Sequence, residues 1–422
     1  MGCTNCQYHT HFSLREPGLG VVRAIHARAI LEGFTQIGRH WLTSCMTEST
    51  KSGSHFWNRV ILKGVLLFLL LNFLFISLDP LPALGRISAY NLVFPGRLRL
   101  PYGEVPDQAY NLSLYNLEAM FASHELAGSK KNASEYRVLL IGDSSVWGYL
   151  LKPENTLAAY INASGLKVSD DQTVRAYNLG YPTMSITKDL LILSYARQYQ
   201  PDLVIWLITL ESLPIQKQLD SPILQNNPSA VRDLITRYSL ELDLQDPRFA
   251  RSSFLSHTLI GQRRDLADIL RLQLYGVTWA ATGIDQYYPA SYEPPQQDLD
   301  PELSFQGLQP PILDPNGLAI EILSAGSRMA GNVPVLYVNE PIYISQGQNS
   351  EFRYNFFYPQ WAYDQYRQIF SSTCHQNGWH CLDEWKLVPG TEFTNSAIHM
   401  TPTGTQTLAF QLQEAILSLN LH

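Results

Sequence analysis

Short apolar segments alternate with helix-type patterns from residue 136 onward, and this alternation restricts the fold more than any other feature. Apolar runs bounded by polar turns predict buried strands, and apolar residues at helical spacing predict amphipathic helices. The strands are predicted at 137–141, 174–178, 203–208, 333–338 and 379–382, and the helices at 156–162, 186–198, 317–330, 362–376 and 405–419. Such alternation predicts an α/β fold, with a parallel five-stranded sheet between two layers of helices.

The alternation stops between about residues 213 and 316. This insert is rich in proline, and helical periodicity is visible only at 230–242 and 261–274. Because the insert begins directly after the third strand, we expect it to cover a site at that end of the sheet. A peripheral elaboration that contributes only bulk is the alternative.

An apolar segment at 65–78 follows Arg59 and Lys63. With the residues before it, it predicts one N-terminal transmembrane helix at 56–79. A cleaved signal peptide and a buried core helix remain open as alternatives. Because the basic residues precede the segment, the chain after Leu78 is expected outside the cytoplasm, as a single-pass membrane-anchored protein.

These features predict four regions. Residues 1–55 are either a cytoplasmic extension or the result of a mis-assigned start, since Met46 offers a second initiation point. Residues 80–135 form a connector, and residues 136–422 form the α/β domain with its insert. Two cysteines in that domain, at positions 374 and 381, form either a disulfide or two separate thiols; a location outside the cytoplasm permits the disulfide.

A serine follows the first predicted strand. The apolar run that begins at Val138 stops at Gly142, and Asp143 and Ser144 come next. Ligands of α/β proteins bind at the carboxyl ends of the strands, where this serine would lie. A serine hydroxyl becomes an effective nucleophile only when a base removes its proton. His399 lies just before the last predicted helix, where a loop could bring its imidazole to Ser144.

The two motifs together resemble the SGNH, or GDSL-like, hydrolase superfamily, over roughly residues 136–419. A further apolar strand that ends at Gly180 fits another block of that family. The resemblance implies a three-layer flavodoxin-like domain with Ser144 as nucleophile and His399 as general base. It also implies that the backbone N–H groups of Ser144 and Gly180 stabilise the oxyanion of the reaction intermediate.

Two blocks depart from the family pattern. Glu211 stands where the family has an asparagine that donates to the oxyanion, and loss of such a donor typically costs about 2.7–4 kcal/mol of transition-state stabilisation. Ser396 stands where the family has the aspartate that orients the histidine. We therefore consider Asn395, Ser396 and Glu340 as candidates for orienting His399, and Glu211 as an unusual member of the oxyanion site.

Composition narrows the range of partners. A net charge of −7 argues against a general nucleic-acid binder. The sequence contains neither a metal-ligand cluster nor a glycine-rich phosphate loop, so we expect no metal and no cofactor.

The resemblance suggests an O-acyl esterase or O-acyltransferase that acts on a cell-surface glycan through an acyl-enzyme and a Ser-His dyad or incomplete triad. Membrane-anchored SGNH-like proteins with altered blocks resemble the surface partners of membrane-bound O-acyltransferases. The expected partners are therefore an acylated carbohydrate or acyl donor, such an acyltransferase, and the membrane. Two other hypotheses remain: a catalytically impaired glycan-binding or assembly module, and a lipid esterase.

Overall fold

The structure is a computed structural model, and it describes residues 53–85, 93, 117–122, 124–128, 130–247, 254–283 and 288–420. The chain divides into two compact units, residues 1–71 and 72–422. Nearly all of the predicted N-terminal extension and most of the predicted connector lie outside the described residues.

The first helix, α1 (Gly53–Leu78), coincides with the predicted transmembrane segment. Its stretch His55–Leu78 has 24 residues with a mean hydropathy of 2.4, and it is long and apolar enough to cross a membrane. At about 1.5 Å per residue, a helix of this length exceeds the roughly 30 Å hydrocarbon core of a bilayer. A single-pass anchor is consistent with these dimensions.

The second unit contains a six-stranded sheet in the order β2-β3-β1-β4-β5-β6. Its strands are β1 (Glu135–Gly142), β2 (Lys167–Ser169), β3 (Gln172–Gly180), β4 (Leu203–Ile208), β5 (Val335–Asn339) and β6 (His380–Asp383). Five strands are parallel, and β2 pairs antiparallel to β3 at the edge. The parallel strands, in chain order, run 2-1-3-4-5, the flavodoxin-like order. The predicted fold class is confirmed, and β2 is the added strand.

Helices follow the strands as predicted, with additional short helices near the connector. Along the chain, α2 (Leu81–Gly85), α3 (Leu117–Ala122) and α4 (Glu125–Gly128) precede the first strand. Between β1 and β4 come α5 (Ser144–Trp147), α6 (Leu157–Ala163) and α7 (Ile186–Ala196). The insert holds α8 (Pro222–Gln225), α9 (Pro228–Tyr238) and α10 (Arg263–Thr282), and α11 (Glu321–Ala330), α12 (Gln360–Asn377) and α13 (Pro402–Asn420) complete the chain.

The core lies on both faces of the sheet. Successive strand residues point to opposite faces, so Leu139 packs in one cluster, with residues of α7, α11 and α12, while Leu140 packs in the other, with residues of α6 and α13. Trp206 on β4 is fully buried in the first cluster. This packing holds the carboxyl ends of the strands in fixed positions, and the candidate site is built there.

The insert is more helical than its sequence pattern predicts. Helix α9 ends where Ser239 adopts a left-handed conformation, with φ of 55°. Helix α10 continues to Thr282 and ends at Gly283, with φ of 75°. The predicted helix at 261–274 is therefore too short. In the last part of the insert, Gln306 Nε2 donates to Glu211 Oε1 at 2.7 Å, so the insert reaches the segment that follows β4.

Cys374 of α12 and Cys381 of β6 form a disulfide. The sequence left this pairing open, because two separate buried thiols were equally compatible with the spacing. The bond joins the end of a helix to the strand that follows it, seven residues further along the chain.

Candidate active site

The turn after β1 presents Ser144 at the start of a short helix. Asp143 is the N-cap of α5, and its Oδ1 accepts from the Ser145 N–H at 2.8 Å. Ser144 is the first residue of α5, so its N–H has no carbonyl partner within the helix. A Cβ at Gly142 would lie 2.5 Å from Val146 Cγ2, so a side chain where the strand meets this turn would force Val146 to shift.

The structure brings Ser144 and His399 together. Ser144 Oγ lies 2.8 Å from His399 Nε2, although the two residues are 255 positions apart in the chain. On the other side of the ring, His399 Nδ1 lies 3.5 Å from Asn395 Oδ1, a long and therefore weak hydrogen bond. Because an amide oxygen can only accept, this contact favours the tautomer with the proton on Nδ1, in which Nε2 accepts from the serine hydroxyl. This is the tautomer that a general base requires.

The surroundings keep His399 neutral. Burial lowers the pKa of His399 to about 4, because the protonated ring loses its hydration. The ring of Tyr149 lies beside the imidazole, with 4.7 Å between the ring centroids. A neutral imidazole in contact with a serine hydroxyl can take up its proton.

Of the three residues considered for orienting His399, only Asn395 contacts the ring. Ser396 Oγ accepts from the Ile398 N–H at 3.3 Å and so stabilises the loop itself. The Glu340 carboxyl contacts the Ser145 hydroxyl instead. The expectation that Glu340 or Ser396 orients the imidazole does not agree with these contacts.

Gly180 lies directly against the nucleophile turn. A Cβ at this position would lie 2.2 Å from the backbone nitrogen of Trp147, so β3 can approach α5 only through a glycine. The Gly180 N–H, however, donates to Asn178 Oδ1 at 3.0 Å. Asn178 Nδ2 also donates to the Trp147 carbonyl at 3.2 Å. Gly180 can therefore donate to an oxyanion only if the Asn178 side chain gives up its contact.

Glu211 belongs to a polar cluster at the end of β4. Its Oε1 forms an ion pair with Lys217 Nζ and accepts from Gln306. Its backbone N–H lies 3.4 Å from the Tyr358 hydroxyl. Within the described residues, Glu211 Oε2 is buried without a hydrogen-bond partner, and the contacts of this carboxylate do not include Ser144 or His399. The role of Glu211 at the oxyanion remains a prediction.

A second set of carboxyl groups is buried beneath the nucleophile turn. The Ser145 hydroxyl donates a hydrogen bond to Glu340 Oε2, and Asp143 lies against the same carboxyl. Burial and the neighbouring Asp143 charge raise the pKa of Glu340 well above its usual value. Burial also raises the pKa of Asp143. Two adjacent buried carboxyls cannot both ionise without strong repulsion, so Glu340 keeps its proton.

Lys188 supplies a positive charge to this region. Its side chain is fully buried, and Nζ donates to the Gly142 carbonyl at 2.7 Å. It also pairs with Asp189 Oδ1 at 2.5 Å. Burial raises the pKa of Asp189 to about 6 despite the lysine, and Trp206 Nε1 donates to its other oxygen at 3.1 Å. The end of β1 is therefore held from beneath by a lysine.

Sequence reasoning missed several of these residues. Tyr149 and Asn178 lie near the two motifs, but aromatic and amide side chains carry no distinctive signal in one sequence. Lys188 lies in the first turn of an otherwise apolar helix, an unusual place for a charge, and that could have marked it. Among the described residues, no group of three or more histidine, cysteine, aspartate or glutamate side chains is placed to hold a metal ion.

The fold and the site define an α/β protein with a Ser-His pair at the carboxyl edge of a doubly wound sheet. No protein-family model and no curated protein matches this chain. Among solved structures, the chain is similar to an aryl esterase of M. smegmatis, with 14% identity over 67% of this chain and 99% of that one and a TM-score of 0.31. It is also similar to a carbohydrate acetylesterase from Sinorhizobium meliloti, with 13% identity over 67% of this chain and 99% of that one and a TM-score of 0.30. Values this low support no transfer of activity to this chain.

Proposed function

We propose that this protein is a membrane-anchored SGNH-type serine esterase or O-acyltransferase that acts on O-acyl groups of a cell-surface glycan. The observation that carries the proposal is the 2.8 Å contact between Ser144 Oγ and His399 Nε2. The proposal also rests on the Gly142-Asp143-Ser144 turn, the neutral imidazole, and the parallel sheet that presents both residues.

The reaction follows from this geometry. Ser144 Oγ attacks the acyl carbonyl carbon while its proton passes to His399 Nε2. The tetrahedral intermediate carries its negative charge near the Ser144 N–H at the start of α5. The imidazolium then protonates the leaving alcohol as the carbon–oxygen bond breaks, which leaves an acyl ester on Ser144.

A second alcohol or water completes the cycle. His399 takes the proton of the incoming hydroxyl, whose oxygen attacks the acyl-enzyme, and then returns a proton to Ser144 Oγ as the ester breaks. Water as acceptor gives an esterase, and a sugar hydroxyl gives a transferase. The weak contact to Asn395 predicts a less strongly oriented base than an aspartate would provide.

Two features support the proposed location. The helix α1 is long enough to anchor the chain in a membrane. The Cys374–Cys381 disulfide fits a domain outside the reducing cytoplasm. Glycan as substrate, and a membrane-bound acyltransferase as partner, follow from the sequence resemblance and are part of the same proposal.

The test is hydrolysis of p-nitrophenyl acetate by the full-length protein in detergent micelles. We expect Ser144→Ala and His399→Ala to lower kcat/KM by a factor on the order of 10³ or more. Ser164→Ala and His375→Ala are matched controls, because both residues are exposed. Addition of a glycan acceptor, followed by mass spectrometry, distinguishes transfer from hydrolysis.

One alternative has specific support. The Gly180 N–H is engaged by Asn178, and Glu211 carries a carboxylate where the SGNH family has a donor. Both features are consistent with a binding module that has lost its activity. A well-folded wild-type protein that neither hydrolyses esters nor reacts with a fluorophosphonate probe would contradict the proposed enzyme and favour this module.

A further inference from the structure

The part of the insert from Phe254 to Tyr275 exposes an unusual amount of apolar surface. It comprises a 3₁₀ turn, Phe254–His257, a short turn, and the first half of α10. The exposed fraction reaches 73% for Phe254 and 66% for Leu270. The exposed apolar residues of this segment are Phe254, Leu255, Leu259, Ile260, Leu270, Leu274 and Tyr275. Exposed apolar side chains that gather in one segment mark an interaction surface.

Helix α10 has two apolar faces. Ile269 and Ala280 are buried and lie on one side of the helix, since eleven residues correspond to about three turns. Leu270 and Leu274 are four residues apart and therefore share another side, which is exposed. The inward face packs within the protein, and the second face carries two leucines that the packing of the domain does not use.

The segment lies beside the chain that leaves α1. The Leu259 N–H donates to Asn72 Oδ1 at 3.1 Å, and Asn72 is buried within α1. Helix α10 also packs against α2, which follows α1 after two residues. Asn72 lies six residues before Leu78, or about 9 Å along the helix axis. If the roughly 36 Å stretch His55–Leu78 is centred on a hydrocarbon core of about 30 Å, the Asn72–Leu259 contact lies about 6 Å inside the hydrocarbon boundary, within the depth that interfacial helices reach.

We propose that the segment 254–275 lies in the interface of the lipid bilayer at the C-terminal end of α1, with Leu270 and Leu274 at the acyl-chain boundary. The inference rests on the membrane anchorage in the proposed function. Amphipathic helices in this position bury their apolar face by about 5–10 Å. The Leu259–Asn72 hydrogen bond is the reason to choose the bilayer as the occupant, because it joins this segment to the carboxyl-terminal part of α1.

The basic residues of α10 are compatible with this placement. Arg263 and Arg264 are exposed at its first turn, and Arg263 Nη1 donates to the Ile260 carbonyl at 2.6 Å. Arginine stems can cover apolar surface while the guanidinium groups remain among phosphate headgroups. The domain would then have two membrane attachments, α1 and α10.

The test is spin-label accessibility in the full-length protein, reconstituted into vesicles of phosphatidylcholine and phosphatidylglycerol. Cys3, Cys6 and Cys45 are changed to serine so that a single nitroxide can be placed by Leu270→Cys or Leu274→Cys. A label at Leu67→Cys in α1 is the lipid control, and a label at Asp170→Cys in the exposed turn after β2 is the water control. Collisions with oxygen report lipid, and collisions with a nickel chelate report water.

We expect labels at positions 270 and 274 to show an oxygen-to-nickel ratio several-fold above that at position 170 and close to that at position 67. The inference would be overturned if the label at position 270 collided with the nickel chelate as often as the label at position 170, while the label at position 67 lay in lipid. Low access to both reagents would place a protein surface, such as a second copy, over α10 and would also overturn it. Nickel access at position 67 would refute the anchorage and this inference together, whereas the ester-hydrolysis assay would be unaffected.

Discussion

At the scale of single residues, the proposed base is oriented by an amide rather than a carboxylate. The Asn395 Oδ1 contact favours the tautomer of His399 that can accept from Ser144, but an amide oxygen carries no full charge. Imidazolium formation therefore gains little electrostatic support, and burial of the ring opposes it further. His399 is therefore correctly placed to act as a base, but its affinity for a proton is low.

Asn395→Asp should strengthen this base. A carboxylate near Nδ1 stabilises the imidazolium, so we expect the pKa of His399 to rise above about 4 and kcat to increase. Activity requires the neutral ring, so the acidic limb of the kcat/KM profile should move to higher pH. The measurement is kcat/KM for p-nitrophenyl acetate from about pH 4 to 8.

The matched control is Ser396→Ala in the same loop, whose hydroxyl accepts from the Ile398 N–H. Asn395→Ala should lower kcat, because the ring loses its hydrogen-bond partner. Superimposable pH profiles for the wild type and Asn395→Asp would show that Asn395 does not act on the imidazole.

At the scale of secondary-structure elements, the site depends on how closely β3 approaches the nucleophile turn. Gly142 and Gly180 are paired in the register of β1 and β3, and both lie where α5 crosses the strand ends. At each position an added Cβ would overlap with atoms of α5. The two glycines therefore allow α5 to pack onto the sheet, and this packing places Ser144.

Gly180→Ala should separate these elements. The added Cβ would meet the backbone nitrogen of Trp147 at 2.2 Å, and backbone cannot move aside as a flexible side chain can. Overpacking of this kind typically costs about 1–3 kcal/mol. We expect a lower free energy of unfolding and a loss of esterase activity, because Ser144 moves relative to His399. Urea denaturation and the p-nitrophenyl acetate assay measure the two effects.

The control is Gly128→Ala in α4, where no atom lies within 4 Å of the added Cβ. Gly128 is exposed at the end of this four-residue helix, so the variant should have a nearly unchanged free energy of unfolding. If Gly180→Ala behaved like Gly128→Ala, the close packing of β3 against α5 would not determine the site.

At the scale of the whole molecule, buried ionisable groups make folding stability depend on pH in opposite directions. Burial raises the pKa values of Glu340 and Asp189 in the folded state. Their contribution to stability is therefore fully present below about pH 4, near the pKa of an unfolded carboxyl, and it is lost as the pH rises through the pKa values of the folded state. For Asp189 that value is about 6. His399 acts oppositely: its contribution is present above about pH 6.5 and is lost as the pH falls toward 4.

Glu340→Gln should reduce the loss of stability at higher pH. Glutamine is neutral and nearly the same shape, so it can still accept from the Ser145 hydroxyl. As the pH rises, Glu340 of the folded wild type must either hold its proton or ionise while buried, and both lower the free energy of unfolding. The glutamine variant has no such proton. We expect the Tm of the wild type to fall more between about pH 5 and 8, where 1 kcal/mol corresponds to roughly 2–4 °C.

Differential scanning calorimetry at several pH values measures this, with Glu293→Gln, at an exposed position, as the control. Parallel Tm curves for the wild type and Glu340→Gln would contradict a protonated Glu340. Glu340→Ala should instead lower Tm at all pH values, because the buried Ser145 hydroxyl loses its partner at a cost of about 1–3 kcal/mol.

Periodicity and strand–turn motifs are local properties of the chain, so they sufficed to predict the α/β class, the five parallel strands and the places of Ser144, His399 and Gly180 along it. Edge strand β2 was missed because it has three residues and little apolar content. The side-chain contacts became visible only in the folded chain. Glu340 contacts Ser145 rather than His399, Asn178 accepts from the Gly180 N–H, and Lys188 donates to the carbonyl at the end of β1. These contacts join side chains from separate strands and helices, and their partners are selected by the packing of the sheet, which local sequence patterns do not encode.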